Sequence, residues 1–335
     1  MLKKILSTPT NSSKAGLPLR STNTRKIVSL GMFAFVIITA LIVSVLIHIA
    51  IEDDTLRYPT NFSPELTVAI DASIQWAVVN GEWFFDGISD GVKITLGKLK
   101  KALLWIPWPV TVSLVFLIAW RWSTLRIAIA SSIGMMIIGF VNLWEPAMVT
   151  IAIMVISVTI AILAGIPVGI IMARSDFMEK LFRPILDAMQ TMPSFVYLVP
   201  GIMLFGLGNV GAILATVLYA IPPCIRLTNL GIRQVDPSVV EAGVSFGSTS
   251  LQLLFKVQIP MAIPTIMAGI NQTVMMALAM STIAAMVGAG GLGLEVLRSM
   301  GQLEEGKAFI AGTAIVVMAI IFDRISQGYI LSKSN

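Results

Sequence analysis

Two segments place glycine at the spacing GxGxxG: Gly206-Leu207-Gly208-Asn209-Val210-Gly211 and Gly288-Ala289-Gly290-Gly291-Leu292-Gly293. A dinucleotide site needs such a run between a strand and a soluble helix, with an acidic residue further on. Both runs instead end apolar blocks, so tight turns and close helix packing are expected of them. No GxxxxGK run followed by Ser or Thr occurs, so the sequence offers no Walker-type ATP site. The one cysteine, Cys224, excludes an intramolecular disulfide and a cysteine-cluster metal site. The one histidine, His48, leaves little material for a Ser-His-Asp or zinc–histidine centre. Polar side chains inside apolar blocks are a further class: Gln190, Thr191, Asn271, Gln272 and Thr273. They are suited to lining a weakly polar path or to hydrogen bonding between helices. Paired carboxylates within those blocks are lacking, which speaks against a membrane-embedded enzyme.

The elements that must position these residues are membrane spans. Of the 335 residues, 56% are hydrophobic and 12% charged, whereas a soluble domain carries about a quarter charged residues. The apolar residues fall in blocks of about 20, the length a helix needs to cross the hydrocarbon core. Lipid offers the backbone no hydrogen bonds, so helices are the natural spanning form. The net charge of +5 sits mainly beside apolar blocks, as membrane topology predicts. It is not read as a nucleic-acid surface. The expectation is an all-α polytopic membrane protein with about eight spans, near 27–51, 103–120, 125–143, 146–172, 188–207, 210–232, 262–288 and 307–328. Both ends then face the cytoplasm. The spans divide into an N-terminal set within 27–143 and a core at 144–328. A basic cytoplasmic tail (1–26) and a short C-terminal one (329–335) flank them.

Three regions depart from this pattern. An acidic stretch after the first span should face outward. It leads into a segment where Phe84, Ile88, Val92, Leu96, Leu99 and Leu103 recur at steps of three and four. That is an amphipathic helix at 83–104, lying at the interface or packed on the bundle. Pro193 and Pro200 interrupt the 188–207 block, which is read as a broken or kinked span.

The third departure is polar. Asp236-Pro237 starts a helix, with Asp as N-cap and Pro at N1. Gly247 can end it in a left-handed conformation. Ser248-Thr249-Ser250 can cap a second short helix, which Pro260 is expected to stop. Too polar to span and too well punctuated for a linker, this helix–turn–helix is suited to docking a partner.

Here a resemblance becomes specific. Glu241-Ala242-Gly243, Gly247 and Val257-Gln258-Ile259-Pro260 resemble the EAA loop of bacterial ABC-importer permeases, with the same spacing throughout. Gly243, Val257 and Ile259 replace the Ala, Ile and Leu of that pattern. Gly243 costs about 1 kcal/mol of helix propensity. Three further runs resemble the ProW-type permeases of glycine betaine/proline betaine uptake: Leu186 to Pro200, Arg226 to Ile232 and Ile266 to Thr273. So does Asp323-Arg324-Ile325-Ser326-Gln327.

The resemblance implies a MetI-like importer core in a bacterial inner membrane, multi-pass, with a cytoplasmic EAA coupling loop. It implies separate ABC ATPase subunits that hold ATP and Mg, an extracytoplasmic solute-binding protein and a second permease copy. The chain itself would bind no cofactor and would not be an enzyme. Glu241, Ala242, Gly243, Gly247, Val257, Ile259 and Pro260 would dock the ATPase. The solute would be a quaternary ammonium compound such as glycine betaine. The alternative on the residues alone is an ion-driven secondary transporter, which needs no ATPase dock.

Overall fold

The computed structural model describes residues 37–46 and 63–334, with side chains to 329. The basic tail (1–26), the flanks of the first expected span, Glu52, Asp53, Asp54 and the side chains of 330–335 lie outside the described set. Two compact units divide the chain, Met1–Ile70 and Asp71–Asn335. In the first, a short apolar helix α1 (Ile37–Leu46) is described, followed by the start of α2 (Ser63–Asn80).

The second unit begins within α2 and continues with α3 (Glu82–Trp105) and α4 (Trp108–Trp122), which meet at 99°. Ile106 precedes Pro107 and is driven extended, with ψ 124°, because the proline ring clashes with a helical predecessor. The apolar stripe expected for 83–104 lies on α3. Val92 and Leu96 are buried, and Ile88, Leu99 and Leu103 pack beside them against residues of α6 and α9. Trp105 at its end is 85% exposed.

Next come α5 (Leu125–Phe140) and α6 (Trp144–Arg174). At 31 residues, α6 is about 46 Å long by helical rise and outreaches a hydrocarbon core of about 30 Å. The expected 188–207 span is not one helix. It is divided between α7 (Asp176–Thr191) and α8 (Leu198–Phe205), joined through a 3₁₀ turn (Ser194–Tyr197), and the two halves bend by 113°. Met192, again before a proline, is extended with ψ 136°. The Tyr197 hydroxyl donates to the Met189 carbonyl across the break.

The remaining helices are α9 (Asn209–Arg233), α10 (Pro237–Ser245), α11 (Ser250–Leu253), α12 (Ile259–Ala284), α13 (Leu292–Gly301) and α14 (Glu305–Ser334). Among the described residues, four helical stretches are long and apolar enough to cross a membrane, and six if each bent pair counts as one span. Two shorter apolar helices, α1 and α5, cover the other expected blocks. The eight apolar blocks are thus all helical where described, but they do not all form single straight spans.

The core forms where α9 lies between α6 and α12. Small residues let the backbones close. A Cβ on Gly169 would stand 2.8 Å from the Ile225 carbonyl oxygen, and one on Gly269 3.0 Å from Leu227 Cβ. Ala152, Ala212, Ala215 and Ala284 fill the same seam. This is small-residue packing as membranes use it, where close van der Waals contact replaces the hydrophobic drive.

Candidate functional site

The helix–turn–helix between α9 and α12 is built locally. The Asp236 carboxylate accepts from the Ser238 backbone N–H at 2.8 Å, and Pro237 occupies the first turn. Hydrogen bonding from Ser238, side chain first and backbone second, holds the Asp236 carboxyl below the ordinary aspartate range. Gly247 ends the turn with φ +77°, a conformation that costs an L residue about 1–2 kcal/mol. Ser248 N–H closes the C-terminal turn onto the Gly243 carbonyl at 3.2 Å. Thr249 then forms a reciprocal capping box with Gln252, at 3.3 Å and 2.9 Å.

Pro260 does not stop the second helix. A π turn over Leu254–Gln258 carries α11 directly into α12, and Ser250–Val287 is one continuous helical stretch of 38 residues. Proline inside an α-helix lacks a donor and its ring clashes with the carbonyl four residues back. The wider π turn immediately before Pro260 loosens that crowding.

Glu241, Ala242 and Pro260 are exposed, while Gly243, Val257 and Ile259 are half-buried. A Cβ on Gly243 would come within 2.7 Å of Leu253 Cδ1, so glycine lets α10 sit closely on α11. The outer surface is apolar beyond what a solvated loop needs. Phe246 is 90% exposed, and Val244, Leu251 and Phe255 are exposed beside it in the chain. Exposed apolar patches of this kind mark interaction surfaces.

A cleft of about 430 Å³ at the foot of this element is lined by Arg174, Arg233, Val240, Glu241 and Gln258, among others. Arg233 anchors it. Its guanidinium donates to Asp176 Oδ1 at 2.7 Å, the Met172 carbonyl at 2.9 Å and Asn229 Oδ1 at 3.1 Å. It also pairs with Glu179 Oε2 at 3.2 Å, while Glu179 holds Arg183 as well. One side chain thereby ties the ends of α6, α7 and α9 together beneath the helix–turn–helix. In the sequence Arg233 reads only as a topology-setting charge. Asn229 is four residues back on the same helix, but Asp176, Glu179 and Met172 lie far earlier in the chain, and no local pattern announces them.

The polar residues within apolar blocks are dispersed. Gln190 and Thr191 are exposed at the end of α7, and the Thr191 hydroxyl donates to the Ala188 carbonyl at 3.0 Å. Asn271 Nδ2 donates to Asp323 Oδ1 at 3.2 Å, and the Ser326 hydroxyl donates to Asn271 Oδ1, which links α12 to α14. Gln272 is exposed. Thr273 is 0% exposed and its hydroxyl has no hydrogen-bond partner among the described residues. Asp187 of α7 and Arg226 of α9 form an ion pair.

At the opposite end of α9 and α12 the two glycine runs meet. Gly208 N–H donates to the Val287 carbonyl at 2.7 Å, and Gly290 N–H to Asn209 Oδ1 at 3.0 Å. Thr150 Oγ1 of α6 accepts from Leu292 N–H at 2.8 Å. Gly291, at φ +98°, leaves no room for a Cβ, which would stand 2.4 Å from Thr150 Oγ1. The runs are turns in contact, as their apolar setting predicts.

A bundle whose described helices include four long and apolar enough to cross a membrane, with an exposed helix–turn–helix between two of them, defines an integral membrane protein. Residues 165–331 match the family described as "Binding-protein-dependent transport system inner membrane component". The chain is 46% identical over 258 residues to the glycine betaine/proline betaine transport system permease protein ProW of Escherichia coli strain K12, covering 77% of this chain and 73% of that one. Against the glycine betaine transport system permease protein OpuAB of Bacillus subtilis strain 168 it is 44% identical over 267 residues, covering 79% and 94%. Against the glycine betaine/carnitine transport permease protein GbuB of Listeria monocytogenes the figures are 43% over 263 residues, 75% and 92%. A solved inward-facing MetNI methionine ABC transporter shares the fold, with TM-score 0.50 and 21% identity over 55% of this chain and 92% of that chain. The chain therefore belongs to the inner-membrane permeases of binding-protein-dependent ABC importers.

Proposed function

We propose that this chain is the permease subunit of an ATP-driven importer for glycine betaine, proline betaine or a related quaternary ammonium solute. It provides the path and leaves ATP and Mg to separate ATPase subunits. An extracytoplasmic binding protein delivers the solute, and a second copy of the chain completes the pore. The solute class is supported by identity to ProW over most of the chain. Recognition of the cation by aromatic faces is assigned to the binding protein. The path itself need hold the solute only weakly, and Gln190, Thr191, Asn271, Gln272 and Thr273 are its candidate polar lining.

The observation that carries the coupling mechanism is that the second helix of the docking element runs without a break into a span. Glu241, Ala242, Gly243 and Gly247 sit in a groove of the ATPase, with the apolar face around Phe246 buried there. Val257, Ile259 and Pro260 belong to the helical path that leads from this seat into α12. Closure of the ATPase pair pushes the seat, and the push crosses the short capped turn at Gly247 before it reaches mid-membrane through α12. Arg233 keeps the ends of α6, α7 and α9 moving as one body with it.

Reconstitution with the ATPase and binding protein tests this reading. Glycine betaine uptake should require ATP inside the vesicle and all three components. Uptake by the chain alone, driven by an ion gradient, would overturn it and favour a secondary carrier.

A further inference from the structure

The seam between α5 and α14 holds a groove unrelated to the features above. Its volume is about 580 Å³, and its walls include Ala130, Ile133, Ile137, Val317 and Ile320, with Arg324 at one end. Gly134 brings the two helices into contact at its floor, since a Cβ there would lie 2.7 Å from Val317 Cγ1. The lining of α5 extends from Ile127 to Ile137, or about 15 Å of helix. That is half of a hydrocarbon core of about 30 Å, the depth of one leaflet.

The charged end of the groove is fixed by contact. Trp122 and Tyr329 stack edge to face at 5.0 Å, and Gly328 leaves a Cβ only 2.6 Å from the Trp122 carbonyl oxygen. The turn between α4 and α5 therefore lies on the last turns of α14, at the membrane face that also carries the helix–turn–helix. This turn brings Arg121 and Arg126 to the end of the groove where Arg324 sits. All three are exposed, and none has a carboxylate partner among the described residues. Trp122 and Tyr329 are the aromatic types that settle at headgroup depth.

We infer that this groove binds one anionic phospholipid of that leaflet, an acyl chain lying along α5 and α14 and the phosphate held by Arg126 and Arg324. Arginine suits the headgroup because its fork pairs two phosphate oxygens at once. The inference rests on the chain's membrane placement and not on the identity of the solute.

Native mass spectrometry of the full chain, released from detergent with equal dioleoyl phosphatidylglycerol and dioleoyl phosphatidylcholine, tests it. Each arginine near an anionic surface favours binding roughly fivefold, so the wild type should retain phosphatidylglycerol about thirtyfold over phosphatidylcholine. Arg126→Gln/Arg324→Gln should abolish that preference, and Arg126→Lys/Arg324→Lys should keep most of it. Ala130→Phe, filling the groove, should lower retention of both lipids. Equal retention of the two lipids by the wild type, or an undiminished preference in the glutamine pair, overturns the site. So does a change of oligomeric state in Ala130→Phe with lipid retention unaltered, which would give the groove to a second copy of the chain.

Discussion

Replacing Arg233 with methionine keeps the stem of the side chain and removes its charge and donors. Four acceptors lose their partner: the Asp176 and Glu179 carboxylates, the Met172 carbonyl and the Asn229 side-chain oxygen. The Asp176 pair is weak, because its carboxylate is 79% exposed and exposed pairs contribute about 0.5 kcal/mol. Glu179 is only 16% exposed, but it retains Arg183, so its loss is partly covered. A hydrogen bond from a charged donor to a backbone carbonyl contributes about 1.5–3 kcal/mol, discounted here because the Arg233 side chain is 31% exposed. The variant should therefore be destabilised by about 2 kcal/mol, concentrated where α6, α7 and α9 end. Two assays read it. Thermal unfolding of the purified chain should shift downward, and a double-mutant cycle with Asp176→Asn should return a coupling of about 0.5 kcal/mol. In the assembled transporter, ATP hydrolysis should persist while its stimulation by loaded binding protein falls. Unchanged stability together with unchanged stimulation would refute the anchoring role.

Other outcomes follow from the same geometry. Gly247→Val forces a β-branched residue to φ +77° and should cost at least about 1–2 kcal/mol, seen as lost ATPase co-purification with membrane insertion intact. Phe246→Ser, at a 90% exposed position, should leave stability unchanged and weaken that co-purification; equal recovery of the complex would count against the docking face. Thr150→Val removes the acceptor of the buried Leu292 N–H and should cost about 1–3 kcal/mol, read by thermal unfolding. The α10 cap should depend on pH: the Asp236 carboxyl is depressed by Ser238, so its contribution is full above the ordinary aspartate range and lost as pH falls through the lower folded value. The protection of the Ser238 amide, taken relative to its intrinsic exchange rate, should fall on that acidification in the wild type but not in Asp236→Asn.

Much of this was legible in the sequence because it is local. Helices follow from apolar blocks and from lipid's refusal to bond backbone, and α10 follows from Asp236-Pro237 and Gly247. The GxGxxG runs were readable as turns from their neighbours alone. What the sequence hid is either cooperative or long-range. Pro260 looks like a stop because a π turn upstream is invisible to propensity. The halves of the 188–207 block could be told from a kinked span only by the angle between them. That the two glycine runs meet, that Asn271 bonds Asp323, and that Arg233 gathers three helix ends are facts of tertiary pairing between distant residues. The stripe on α3 was plain, but whether it faced lipid or protein depended on α6 and α9 being beside it.

The π turn also sets an orientation. One residue more per turn rotates everything before it by about 100° relative to the helix that follows. Leu251 and Phe255 thus present their faces at an azimuth that a regular helix would not give them relative to Ala262, Ile266 and Gly269, which are buried. The stretch behaves like a shaft with a fixed offset between its two keyed ends. A single-residue deletion within Leu254–Gln258 would leave the helix intact and its composition almost unchanged, yet turn Leu251 and Phe255 by about 100° relative to α12.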